Sequence, residues 1–341
     1  MNDLVQLRAL RDADAAAPDP AVRAVAHERL SERWAGARAR TRRRRRRERF
    51  ILGAVALAAA AATAALTGLT GGGVSPPPAS ARAAVERAAR AAFENGVSTL
   101  GPDEFLYVKE RDAYTTTFAD LAPGPFSAIV PEIRETWIGR HGRGRFVERA
   151  TGAPEFLGRR DRERWEAAGR PQLGDSPAGA TVTTFDNHGF GAGAHTLSYG
   201  QLAALPSDGE AMYRRLIELA GDAGPSPDAE AFTIIGDLLR SAPVPPAARA
   251  GLYRAAAYIE GVTYVGEVKD QLGRTGVALE LSNPTGRTRL IFDPRSSQVL
   301  AEETVLTKRI DTMDAKPGDV VGSRVVLEET VVGSARARPR R

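Results

Sequence analysis

Four histidines, a few glycine-rich stretches and the adjacent Glu302 and Glu303 are the residues in this sequence whose types and spacing could suggest chemistry. His188 and His195 stand as His-x6-His beside Asp186, whereas His27 and His141 are isolated. A metal site needs three or four ligands of fitting geometry, so these read as loop histidines. Cysteine is absent, which removes thiolate zinc sites, a thiol nucleophile and disulfides. Gly174-Asp175-Ser176 has the form of a serine-esterase nucleophile block, but Pro177 follows it and no apolar strand precedes it, so the strand-turn frame is missing. Gly189-Phe190-Gly191-Ala192-Gly193 lacks the spacing and strand-helix frame of a dinucleotide fingerprint and reads as a flexible loop. Glu302 and Glu303 adjoin on a strand and face opposite sides, which suits one solvated and one edge charge better than an acid-base pair. Trp137, Trp165 and Tyr264 either line an apolar cleft or belong to the core, and the core is the expected place for aromatics this dispersed. No catalytic residue, cofactor or metal is expected, and the chain reads as a non-enzyme.

The charge is unevenly placed. The 341 residues carry a net +5, but residues 1–50 hold fourteen arginines against seven acids, leaving the remainder slightly acidic. Most of the excess is the run Arg42, Arg43, Arg44, Arg45, Arg46, Arg47 and Arg49. Alone it would suit nucleic acid. The twenty uncharged residues Phe50 to Leu69 argue otherwise, because as a helix they span about 30 Å, the thickness of a bilayer's hydrocarbon core. Nine of them are alanine, so insertion is driven mainly by Phe50, Ile51, Leu52, Val55, Leu57, Leu66 and Leu69. A basic flank is retained on the cytoplasmic side, so the expected topology is a signal anchor in the plasma membrane with the N-terminus cytoplasmic and the C-terminal domain extracytoplasmic. The arginines would also meet anionic headgroups, making membrane lipids an expected partner and nucleic acid not. Ala79-Ser80-Ala81 resembles a signal cleavage site, but the apolar run is longer than an ordinary signal core and some fifty residues precede it.

The expected organisation follows: a short cytoplasmic helical segment (1–37), a polybasic stop (38–49), a transmembrane helix (50–70), a Gly/Pro tether (71–79), an extracytoplasmic α+β domain (80–332) and a frayed basic tail (333–341). In the first segment Leu4, Leu7 and Leu10 recur every three residues, and Val22, Ala26, Leu30 and Trp34 every four, on either side of Pro18-Asp19-Pro20. So short a segment cannot enclose a core, so these stripes stay solvated, lie on the membrane or bury against a partner protein.

The outer domain should open with a helix over 81–93 whose inner stripe is Val85, Ala88, Ala89, Ala92 and Phe93. Strands are expected at 104–112 and within 132–147, the latter folded as a hairpin about Gly139 to Arg145. Residues 152–200, rich in glycine, proline and charge, read as a mobile surface region or the lining of a cleft. Ser207 to Glu210 has capping-box form before a short helix over 212–219. Ser226-Pro227 and Pro245-Pro246 start two more helices. From Gly261 the period becomes two, with short turns between strands at 262–268, 276–281, 288–292 and 299–306, and 320–332 as a fifth. Such connections force an antiparallel meander, which the helices should cover on one face.

In their order, Leu7 to Leu10 with Pro18 to Pro20, the arginine run with its apolar segment, Arg134-Glu135-x-Trp137 with Gly142-x-Gly144-Arg145, Gly261-Val262-x-Tyr264-x-Gly266, Leu272-Gly273-Arg274-x-Gly276, and Arg289 to Pro294 resemble an actinobacterial family of single-pass membrane proteins associated with extracytoplasmic-function sigma factors. The resemblance spans nearly the whole chain. It implies a membrane-tethered regulator similar to an anti-sigma factor, with a cytoplasmic sigma factor or another protein as partner. The chain departs from the zinc-binding anti-sigma pattern, which uses a histidine and two cysteines on a longer inner domain, because it has no cysteine. A second expectation, from fold analogy, is a tethered carrier holding a lipid or other apolar ligand between sheet and helices.

Overall fold

A computed structural model describes residues 79–95, 100–118, 124–173, 179–186, 188–283, 286–311 and 313–339. All of them belong to one compact unit within Thr67–Arg341. The arginine run, the apolar segment and the inner stripes Leu4, Leu7, Leu10, Val22, Leu30 and Trp34 lie outside the described residues. Among the described residues no helix is long and apolar enough to cross a membrane.

The fold is α+β, as the change of period predicts. Strands β8 (Val262–Lys269), β9 (Thr275–Ser282), β10 (Gly286–Phe292), β11 (Val299–Leu306) and β12 (Val320–Val332) form the expected antiparallel meander. A second meander comes from the N-terminal half: β1 (Phe105–Phe118), β3 (Glu132–Gly139), β4 (Gly144–Ala150) and β5 (Ala180–Phe185), with β2 (Phe126–Ile129) paired to the far end of β1. The two meet where β1 runs antiparallel to β12, Phe105 opposite Val332 and Tyr114 opposite Gly322. The order β5-β4-β3-β1-β12-β11-β10-β9-β8 makes them one sheet.

Alternation along the strands divides the two faces. Leu106, Val108, Ile138, Val277, Leu279, Leu290, Phe292 and Val326 share one core with the helices. Those helices are α1 (Ala79–Asn95), α4 (Gly209–Ala220), α5 (Pro227–Ser241) and α6 (Pro246–Ala255), with the small hairpin β6 (Phe190–Ala192) and β7 (His195–Leu197) beside them and the short α3 (Tyr199–Ala203) following it. Each large apolar side chain buried there contributes about 1.5–3 kcal/mol. On the opposite face, Phe105, Tyr107, Trp137 and Val147 cluster with Val332, and Ala278, Ile291, Ala301 and Val325 form another group.

Several local expectations are corrected. Val85, Ala88, Ala89 and Ala92 of α1 are buried, but Phe93 is 65% exposed. It sits about 80° round the helix from Val85, at the edge of the alanine stripe that packs against α6. Residues 152–200 contain α2 (Arg159–Ala167), β5, β6 and β7, and the Gly189 to Gly193 stretch, expected as a flexible loop, is a strand and a turn. The cap of α4 is Asp208, accepting from the Ala211 amide at 2.9 Å, instead of Ser207. Ser207 is held by α6, where Gly251 leaves room for its backbone. A reciprocal capping box does form one helix earlier, between Ser198 and Gln201. Ser226 caps α5 and Pro227 is its first residue, as expected. The tail is docked instead of frayed, because the indole N–H of Trp137 finds its acceptor on the Ala337 carbonyl and Arg338 meets Glu135.

Candidate functional site

The strongest concentration of interacting charge lies between α5 and the sheet. Arg240 is on the last turn of α5, on the side of the helix where Gly236 leaves room against Glu302 and the Arg240 guanidinium, so its charge faces the sheet and is 1% exposed. It meets carboxylates from three elements: Asp237 of α5 at 2.6 Å, Glu110 of β1 at 3.0 Å and Glu302 of β11. Asp112, two residues along β1 from Glu110 and therefore on the same face, pairs with Arg324 of β12 at 3.2 Å and Arg134 of β3 at 3.3 Å. Arg134 in turn binds Glu148 of β4 at 2.7 Å. The network thus ties α5 to strands from both meanders.

Its electrostatics follow from burial. Burial raises the Glu110 carboxyl above its ordinary value, against the pull of Arg240 and Arg324 and with the help of Asp112. Burial pushes the Tyr114 hydroxyl up to about 12, Arg324 opposing and Asp112 and Glu302 adding. For Arg240, burial and Arg324 act downward, but the carboxylates of Glu302, Asp237 and Glu110 prevail and hold the cation more firmly than usual. Beside this set, burial also raises Glu329 of β12, whose partner Arg249 of α6 is 3.8 Å away. Arg249 and the Tyr253 hydroxyl both donate to the Ser297 carbonyl, at 3.2 and 2.6 Å. Carboxylates enclosed this way serve as counter-ions, and chemically the arrangement is a clamp between layers.

The clamp reaches the small hairpin. The amide of Gly193 donates to Asp237 at 3.0 Å, and that of Ala194 donates to Glu230 on the same helix. Gly193 has φ +57° and its Cα faces Glu230 and Ile234, so a side chain is excluded both by conformation and by space. Displacing the hairpin would therefore pull on the helix that carries Arg240.

A second charged group occupies the other face of the C-terminal meander. Glu280 of β9 binds Arg289 at 2.6 Å and Arg287 at 3.1 Å, and Arg289 also approaches Glu303 at 3.4 Å. Gln271 donates to Glu303 at 3.1 Å. Burial raises the Glu303 carboxyl, with Gln271 and Arg289 opposing. Glu302 and Glu303 do face opposite sides, but the expected solvated and edge charges are corrected: β11 is an interior strand and each glutamate is held by an arginine. A single sequence does not reveal partners on distant elements such as Arg240, although a glutamate pair inside a period-two strand signals that one of them points inward.

The remaining sequence candidates are scattered. Trp137 is fully buried with Tyr107 and Phe105, Trp165 packs beside Phe156 and Leu173, and Tyr264 borders the main core, so the three belong to separate clusters. His195 is exposed on β7, while the His188 ring lies 4.7 Å from Phe185. Gly174 to Ser176 lie outside the described residues. Among the described residues, no group of three or more histidines and carboxylates is assembled to hold a metal.

No protein-family model matches the chain, and no curated protein matches it. Solved structures that are similar at low identity include two complexes. One is the crystal structure of MucB in complex with MucA(peri), 10% identical with a TM-score of 0.26, covering 74% of this chain and 56% of that one. The other is the complex structure of Pseudomonas aeruginosa MucA/MucB, 12% identical with a TM-score of 0.22, covering 77% of this chain and 59% of that one. The chain therefore spans less than two thirds of the length of either.

Proposed function

We propose that this chain is a single-pass membrane regulator of anti-sigma-factor type, with residues 1–37 contacting a cytoplasmic protein and the α+β domain sensing a ligand or partner outside the plasma membrane. The observation that carries the reading is the order of parts along the chain. Two apolar stripes, an arginine run and twenty uncharged residues precede a Gly/Pro tether, and a folded domain begins directly behind that tether at Ala79. A basic flank beside an apolar span orients such a chain with its N-terminus inside. The inner stripes cannot bury themselves, and a sigma factor is the partner implied by the sequence resemblance.

Regulation is favoured over carriage by the packing between helices and sheet. A carrier would hold its apolar ligand there, yet that layer is occupied by Leu106, Val108, Ile235, Leu238, Leu290 and Phe292, none more than 1% exposed. The clamp from the β6–β7 hairpin through α5 to both meanders supports a domain that responds as a unit when its surface is engaged. The reading assigns no enzymatic step to the chain.

The deciding experiment is capture of the tagged full-length protein from its native host in mild detergent. Recovery of one sigma factor, lost on deleting residues 1–36, is the expected result. Recovery unaffected by that deletion, or of envelope proteins alone, overturns the sigma-binding role.

A further inference from the structure

The β3–β4 turn and the start of β4 present arginines that differ from those in the two charged groups. Arg134, Arg240, Arg249, Arg289 and Arg324 each lie within 4 Å of a carboxylate. Arg140, Arg143 and Arg145 pair with no carboxylate among the described residues; they rest on aromatic rings. The Arg143 guanidinium is 5.9 Å from the centre of Phe105, that of Arg140 is 4.9 Å from Tyr199, and that of Arg145 is 4.4 Å from Trp137. Arg338 of the docked tail approaches the same indole at 5.6 Å, and the Nε of Arg145 is buried without a hydrogen-bond partner.

The fold gathers these groups at one end of the sheet. Phe105, at the start of β1, pairs with Gly139 at the end of β3 and with Val332 at the end of β12, so the turn and the tail emerge side by side. The turn is closed by the Gly142 amide on the Gly139 carbonyl and the Gly139 amide on the Arg143 carbonyl, both at 2.9 Å, with Gly142 at φ +73°. A hollow of about 280 Å³ opens there, lined by Phe105, Pro102 and Asp103 on one side and Arg140, His141 and Arg143 on the other. Asp103 is the acid of that lining, against two arginines and a histidine. Arg336 and Arg338 add exposed charge from the tail, Arg338 being already engaged with Glu135.

We propose that this end of the sheet docks on an anionic lipid bilayer, with Arg140, Arg143, Arg145 and Arg336 meeting phospholipid phosphates. Guanidinium groups bind phosphate oxygens in a fixed fork, and stacking on a ring restrains them in advance, so less freedom is lost on contact. The apolar wall of the hollow, Phe105 and Pro102, suits the less polar layer beneath a headgroup. The choice of lipid rests on the membrane attachment proposed above: a tether of residues 71–79 spans at most about 30 Å, which makes headgroups the anions at highest local concentration.

The test is amide hydrogen exchange of the full chain in nanodiscs of phosphatidylcholine alone or of phosphatidylcholine with about one third phosphatidylglycerol. Exchange over residues 139–145 and 334–338 should slow at least fivefold in the anionic discs, with β9 to β11 unchanged. High salt should reverse it. The pair Arg140→Gln and Arg143→Gln should lower surface binding about 25-fold, each basic residue near an anionic bilayer being worth about fivefold. Unchanged protection of β9 to β11 in that variant shows that it folds. Equal exchange in the two discs overturns the proposal. Protection by added polyglutamate but not by phosphatidylglycerol also overturns it, assigning the surface to an acidic polypeptide. Failure of the chain to enter either disc refutes the anchor instead, and the same comparison with added vesicles of the two compositions then decides the surface.

Discussion

Arg240 of α5 and Glu110 of β1 face each other at 3.0 Å where the helical layer meets the sheet, and neither is more than 5% exposed. Two such groups leave water at high cost, which their attraction offsets only when further partners are present. Here Asp237 and Glu302 complete the shell of Arg240, whereas the Glu110 oxygen that faces it accepts no hydrogen bond.

Removing Arg240 should therefore cost more than removing an ordinary core side chain. Arg240→Met leaves Glu110 buried without its cation and should lower unfolding stability by about 3–5 kcal/mol. Adding Glu110→Gln to that variant should recover a substantial part. Urea unfolding of the two chains and the parent measures this, and additive losses would show that the pair is not coupled.

What the sequence reveals and conceals follows the range of the contacts. The C-terminal meander is legible because its turns, Asp270 to Arg274 and Asp293 to Ser296, join neighbours, and a short loop between period-two runs permits only antiparallel pairing. The β1–β12 seam is not legible, since Phe105 and Val332 are separated by most of the domain and neither carries a local signal for the other. The same limit hides the clamp. Arg240 carries no local signal for Glu110 or Glu302, and only the packing of α5 on the sheet brings them together. Glu135 and Trp137 stand in the sequence as an ordinary strand pattern, and their partners, Arg338 and Ala337, lie in a segment whose composition suggests fraying.

The tail should detach in acid. Burial acts to raise Glu135, but hydrogen bonds from Arg338 and Tyr107 outweigh it, so its folded pKa lies below the ordinary value of 4.5. A carboxylate of that kind contributes stability above its unfolded pKa and loses it as pH falls from there through the lower folded value. The indole N–H of Trp137, bonded to Ala337, should exchange faster across that window. Glu135→Gln should speed its exchange at neutral pH and flatten the dependence. Glu110 and Glu329 have the opposite sign: their raised folded values favour the native state as pH falls through them, so the helix–sheet layer should persist while the tail leaves.

Gly193→Ala should loosen the β6–β7 hairpin selectively. A left-handed backbone costs a residue with a Cβ about 1–2 kcal/mol, and this Cβ would also press on Glu230 and Ile234. Amide exchange over Phe190–Leu197 should accelerate at least tenfold, and the Gly193 bond to Asp237 should weaken with it. Gly191→Ala is the control, because nothing lies within 4 Å of its added carbon. Equal acceleration in the two variants would mean that the turn conformation is not what holds the hairpin.

The absence of cysteine makes the membrane topology directly measurable, since any introduced thiol is the sole one in the chain. Ser31→Cys falls in the segment expected inside, and Glu267→Cys on the exposed side of β8 in the domain expected outside. A membrane-impermeant maleimide added to intact cells should label Cys at 267 and should reach Cys at 31 only after permeabilisation. The arginine run is expected to set that order, because basic residues beside an apolar span are retained on the cytoplasmic face. Replacing Arg42 to Arg47 with glutamine while leaving the apolar residues intact should therefore reduce labelling at 267 and raise it at 31 before permeabilisation. Labelling of both positions in intact parent cells would refute the single span, whereas labelling of neither would place the whole chain inside and remove the bilayer surface on which Arg140 and Arg143 are proposed to dock.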